Sequence, residues 1–188
     1  MRVKPGDAVE RGEVLGAVGF SGLAQFPHVH LSVRQRGQAI DPFTGQPLHR
    51  GCGQGTGASL WMSEMKELIT YRPGEIIQTG FATASVSMED LETGSILRMP
   101  ERDTPIVLFS RGINLLKGDH YRFRLTGPSG IIAERELGPL ERNKAQYVAY
   151  IGKKAPVAGW RAGMYRGVVE VIRDGDVYVH DTREFRLE

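Results

Sequence analysis

The sequence predicts an all-β protein in two parts. Three observations point there. Short apolar segments alternate with polar residues along most of the chain. Gly and Pro, at 24 and 10 of 188 residues, exceed the roughly 12% of ordinary domains and supply frequent turns. A glycine-rich stretch from Thr44 to Ser59 separates a compact N-terminal pattern from a longer series of strands.

Composition narrows the function classes. With 40% hydrophobic and 24% charged residues, a packed core is expected and wholesale disorder is not. The 24 basic and 22 acidic residues give a net charge of +2. Both signs are mixed along the chain, which argues against a dedicated nucleic-acid binder. No apolar run reaches the ~20 residues of a membrane-spanning helix. The single cysteine, Cys52, excludes an internal disulfide framework and a multi-cysteine zinc finger. Met1 to Asp7 lacks the apolar core of a signal peptide, so the literal expectation is a cytoplasmic chain.

Residues 1–45 form the first part. Val3 and Val9 flank a Pro5-Gly6-Asp7 turn, and Val14 to Gly19 reads as a small-residue strand ending near Ser21-Gly22. In His28 to Arg34, Val29, Leu31 and Val33 alternate with His28, His30, Ser32 and Arg34, the pattern of a half-buried strand. Arg36-Gly37-Gln38 is a turn, and Ala39 to Pro42 closes the unit. Residues 46–74 are expected to be a linker, because no Gly-Lys-Ser/Thr follows the glycines as a phosphate loop requires. Leu60 to Ile69 is expected to hold a helical turn or two, with Ser63 as N-cap and Leu68 and Ile69 inward.

Residues 75–188 read as strands at Ile76–Met88, Thr104–Ser110, His120–Leu125, Ile131–Glu136, Ala145–Ile151, Tyr165–Arg173 and Val177–His180 with a tail to Leu187. Asp174-Gly175 is a hairpin signal, and Gly127-Pro128-Ser129-Gly130 is a second turn. Seven short strands at this spacing suggest an immunoglobulin-like β-sandwich. Tyr165, after the Trp160-Arg161 turn, fits the tyrosine that opens a late strand in such domains, and equally fits core filling.

His28-x-His30 is the densest chemical pattern. On a strand, residues i and i+2 share a face, so two imidazoles can converge on one ion. Zn²⁺ takes neutral imidazole nitrogen and, in catalytic sites, three protein ligands with an open position. Two exposed strand histidines would give the same pattern. Its setting is Val3-x-Pro5-Gly6-Asp7-x-Val9-x-x-Gly12-x-x-Leu15-Gly16-x-x-Gly19-x-Ser21-Gly22, then Pro27-His28-Val29-His30-Leu31, then Asp41-Pro42. This order resembles the C-terminal half of the lysostaphin-like (LytM-type) zinc metallopeptidases, over about residues 3–43.

The resemblance implies zinc as cofactor, peptidoglycan peptide cross-links as substrate, and a periplasmic or extracellular location. It implies a peptidase β-domain of the duplicated hybrid-motif type, of which residues 1–45 are a part. Within it, His30 corresponds to a zinc ligand. His28 corresponds to the histidine beside the metal-bound water and the scissile carbonyl. The family's other ligands, in a His-x-x-x-Asp motif, lie upstream of the Pro-Gly-Asp turn. The expectation is therefore an N-terminally incomplete and inactive peptidase. His49, His120 and His180 are the remaining imidazoles, and none has a carboxylate at the motif's spacing, although Asp181 adjoins His180.

Other readings compete. The same glycine pattern resembles biotinyl and lipoyl carriers, but Lys4 is misplaced and residues 16–27 hold no lysine. Cys52 between two glycines is a reactive thiol or a small loop residue. Arg34, Arg36 and Arg50 suit an anionic glycan or a solvated face, and Trp61 and Trp160 suit sugar stacking or a core. Asp174, Asp176 and Asp181 lack calcium-loop spacing. The rival to an enzyme is a non-catalytic envelope-binding or regulatory module.

Overall fold

A computed structural model describes residues 2–19, 28–48, 58–65, 67–70, 72–94 and 98–188. The chain divides into two compact units, Met1–Tyr71 and Arg72–Glu188. The fold is all-β apart from short helical turns.

Unit 1 is built from turns. Lys4 N–H donates to Asp7 Oδ2 at 2.8 Å and Glu10 N–H to Glu13 Oε2 at 2.9 Å, fixing the turns at Pro5-Gly6 and Arg11-Gly12. The strands expected around Val3–Val9 and Val14–Gly19 do not form. Arg2 N–H donates to the Leu15 carbonyl, but no ladder extends from that bond, and a strand exists only through its pairing.

Strand β1 (Val33–Gln35) pairs antiparallel with β2 (Gln38–Ile40) across Arg36-Gly37. Both turn residues have positive φ, 49° and 83°, the two-residue hairpin geometry that matches strand twist. The strand expected over His28–Arg34 is thus reduced to its last two residues and Gln35. Its partner is only three residues long because Asp41 ends β2. The Asp41 carboxylate accepts from Phe43 N–H and Thr44 Oγ1, and its carbonyl accepts from Gly45 N–H.

Farther along, Leu60 N–H donates to the Pro42 carbonyl and the Phe43 and Trp61 rings lie 6.0 Å apart. The expected helical segment is a single 3-10 turn, Ser63–Met65, so Ser63 lies within it rather than capping it. Leu68 is 78% exposed instead of inward. Ser21-Gly22, His49, Arg50 and Cys52 fall outside the described residues.

Unit 2 holds seven described strands in two antiparallel sheets that share one core. Strands β3 (Glu75–Ala82), β4 (Ile106–Leu115) and β7 (Lys144–Lys153) form one sheet in that order. The other runs β6 (Gly130–Leu137), β5 (His120–Gly127), β8 (Gly163–Arg173), β9 (Asp176–Leu187). Period-two alternation turns Tyr121, Phe123 and Leu125 of β5 and Tyr165, Val169 and Val171 of β8 inward against Ile106 and Leu108 of β4.

Central β4 is apolar on both faces for a reason. Its outer Val107 and Phe109 pack with Ala82, Val86 and Leu91, the last from helix α1 (Met88–Thr93). The strand expected to run on to Met88 therefore stops at Ala82. Beyond it Ser87 starts a helix: its hydroxyl accepts from Asp90 N–H while the Asp90 carboxylate accepts from Ser87 N–H. The β8–β9 hairpin turns at Asp174-Gly175, with φ of 53° and 92°, as the sequence predicts.

Candidate functional site

His28 and His30 belong to unit 1, in the irregular segment before β1. Both are exposed. The strand geometry that would aim the two imidazoles at one point is absent from 28–32, because the β1–β2 ladder begins only at Val33↔Ile40. Neighbouring Val29 and Leu31 are 78% and 55% exposed, and Ile40 is the one buried side chain among the described residues of this unit. The apolar face expected to pack inward therefore faces outward.

A catalytic zinc needs three protein ligands and an open position. Among the described residues, no three His, Cys, Asp or Glu side chains cluster in a way that would hold a metal ion. His120 and His180, the other described imidazoles, lie on the open face of the four-stranded sheet. His120 Nδ1 lies 2.9 Å from Glu136 Oε1, and His180 stands across from Glu170 in the β8–β9 register. His49 lies outside the described residues. The described residues do not fit zinc by themselves.

That open face carries a charge ladder rather than a site. Arg122 pairs with Glu170 at 2.6 Å, Arg124 with Glu134 at 2.6 Å, and Arg166 with Glu184 at 3.7 Å. The Glu170 carboxylate raises the Arg122 pKa through its hydrogen bond and charge. Alternating signs across neighbouring strands give a solvated, mutually neutralised surface.

Residues 1–42 match the model of peptidase family M23. The match includes both histidines of His28-x-His30 and stops at Asp41-Pro42, ahead of unit 2. No curated protein matches the chain.

Unit 2, which the M23 match does not reach, has a buried ion pair that sequence patterns did not single out. Asp119, 1% exposed, accepts from Arg173 Nε and Nη2, each at 2.8 Å, and from Leu116 N–H at 2.8 Å. The Arg173 guanidinium also lies 3.9 Å from the centre of the Tyr178 ring, and the Asp119 hydrogen bonds push its pKa up. Tyr165 OH donates to the Arg161 carbonyl at 2.7 Å, and Trp160 Nε1 donates to the Thr104 carbonyl at 2.8 Å. Trp160 is thus a core residue. Only the short spacing from Trp160 to Tyr165 signalled this corner in the sequence.

Proposed function

We propose that residues 1–45 are part of a zinc metallopeptidase module that acts on peptide cross-links of peptidoglycan, in the periplasm or outside the cell. The observation that carries this reading is the family M23 match over residues 1–42, with His28-Val29-His30 inside it. In this reading His30 is a zinc ligand and His28 the imidazole beside the reacting carbonyl. One or two imidazoles do not hold Zn²⁺ in a tetrahedral site, so the chain by itself is inactive and no hydrolytic step is assigned to it.

Residues 72–188 are proposed to be an immunoglobulin-like sandwich. Lettered A to G in chain order, its sheets are A-B-E and D-C-F-G. The constant-type arrangement places D beside E instead, so the fourth strand here has moved to the opposite sheet. The Tyr165 hydroxyl reaching back four residues to a carbonyl supports this reading, being the corner found at the start of strand F in such domains.

A second reading, a non-catalytic envelope-binding or regulatory module, is favoured by the absence of a three-ligand cluster among the described residues. One experiment separates the readings. The chain is loaded with Zn²⁺, freed of excess and assayed for metal by mass spectrometry beside His30→Ala, and both proteins are tested for retention on purified peptidoglycan. Metal well below one equivalent is expected. About one equivalent, lost in the variant, would mean that further ligands complete the site, overturn the ground for the inactive assignment and make the chain a hydrolase candidate. Retention without metal, unchanged in the variant, favours the binding module.

A further inference from the structure

One end of unit 2 carries a cavity of about 280 Å³ between the β5–β6 turn and the loop that leads into β8. Its apolar wall is Pro128, Ile132, Pro156, Trp160 and Tyr165. The wall is fixed before any ligand arrives. Trp160 spends its indole N–H on the Thr104 carbonyl and its backbone N–H on the Arg102 carbonyl, and Tyr165 spends its hydroxyl on the Arg161 carbonyl. Gly127 lets the parts close up: a Cβ there would lie 2.7 Å from the Tyr165 ring and 2.9 Å from Ile132 Cδ1. Such preorganisation lowers the ordering cost of binding.

The size and charge of the cavity select its ligand. It lies at the small end of ligand pockets, which run from roughly 300 Å³ upward, and so takes one side chain rather than a cofactor. Ser129 and Arg161 are the lining residues with uncommitted polar side chains, and no acidic residue lines it. Arg161 is exposed and forms no ion pair with the described residues. Lys153 and Lys154, at the start of the same loop, are also exposed and outside those ion pairs.

We propose that this cavity binds the C-terminal residue of a peptide, its apolar side chain against Pro128, Pro156 and Trp160 and its carboxylate on the Arg161 guanidinium. A guanidinium presents a fork of N–H donors that matches a carboxylate. The assignment is independent of the metallopeptidase reading of unit 1.

The test is a titration of the full chain, labelled for amide NMR, with N-acetyl-glycyl-leucine as the free acid and as its amide. The acid should move the signals of Gly127–Ser129 and Ala158–Arg161, and bind about tenfold more tightly than the amide. Arg161→Gln should abolish that preference while the amide binds as before. The corner uses the Arg161 backbone carbonyl, so this variant keeps the wall intact. Equal affinity for acid and amide, shifts confined to other regions, or no saturable shift would each overturn the proposal. So would tighter binding to phosphatidylglycerol vesicles that is lost in Val157→Asp, since Val157 stands fully exposed at the tip of this loop.

Discussion

Asp119 is the one buried carboxylate among the described residues, and its three hydrogen bonds compensate its removal from water. Taking away one member of a buried ion pair leaves the other uncompensated, so Asp119→Ala is expected to cost about 3–5 kcal/mol in urea denaturation. Tyr165→Phe removes a single neutral hydrogen bond and should cost about 1 kcal/mol. A smaller loss for Asp119→Ala than for Tyr165→Phe would refute the role given to the pair. The alkaline limb of stability is shared by Tyr121 and Tyr165, both buried, whose pKa values burial pushes up. A phenol with a raised folded pKa stabilises fully below its unfolded value of about 10, and that contribution is lost as pH rises above it. Absorbance at alkaline pH should therefore show Tyr121 ionising only with unfolding, and Tyr121→Phe should flatten the decline in stability. The place of Tyr165 at a strand start was legible from its turn. The burial of Asp119 was not, because it depends on Arg173, 54 residues away, brought alongside by the β5–β8 register His120↔Ile172.

Among the elements of unit 2, α1 is the least determined by packing, with Leu91 its contact to the second cluster, and so depends on its cap. Ser87→Ala should destabilise the helix by about 1 kcal/mol, seen as faster amide exchange at Leu91 with the β-strands unchanged. The hydrogen bonds from the Ser87 side chain and then its backbone hold the Asp90 carboxyl below its ordinary value. A depressed carboxylate stabilises above its unfolded pKa, near 4, and the contribution disappears as pH falls through the lower folded value. Exchange at α1 should therefore accelerate in acid before the sheets respond, and in Ser87→Ala, which keeps the backbone N–H but loses the hydroxyl, the Asp90 titration should move up toward the ordinary range. Uniform acid sensitivity of helix and strands would contradict this. All seven described strands of unit 2 were legible to within two residues at their starts, because alternation and Gly turns mark them. The end of β3 was misplaced because Thr83 to Met88 reads apolar enough to continue a strand. Val86 does bury its side chain, but from the segment leading into α1 and against the outer face of the sheet, a packing that period-two reasoning does not reveal.

At the scale of the whole molecule the two units differ in what holds them. Unit 2 closes a core in which Tyr121, Phe123, Leu125, Ile106 and Leu108 are fully buried. Burying a side chain of that kind stabilises by roughly 1.5–3 kcal/mol. Unit 1 buries Ile40 alone among its described side chains and leaves Val14, Val18, Val29 and Leu31 about half exposed or more. The same contrast explains why the candidate metal site was only half legible. His28-x-His30 is a local spacing, visible in one segment, whereas a closed site needs ligands from separate segments held by packing that the described part of this unit does not supply. Local opening takes little free energy where few apolar contacts must be broken. Limited trypsin digestion should therefore cut first in unit 1, after exposed Arg34 or Arg36, and leave a resistant fragment beginning near residue 72. Arg173, in its ion pair with Asp119, should resist cleavage in that fragment. If a peptidoglycan peptide with Zn²⁺ protects Arg34 and Arg36, unit 1 completes a site on binding and the inactive reading fails. If protection appears with neither ligand nor metal, and the first cuts fall in unit 2, the division of stability argued from these cores is wrong.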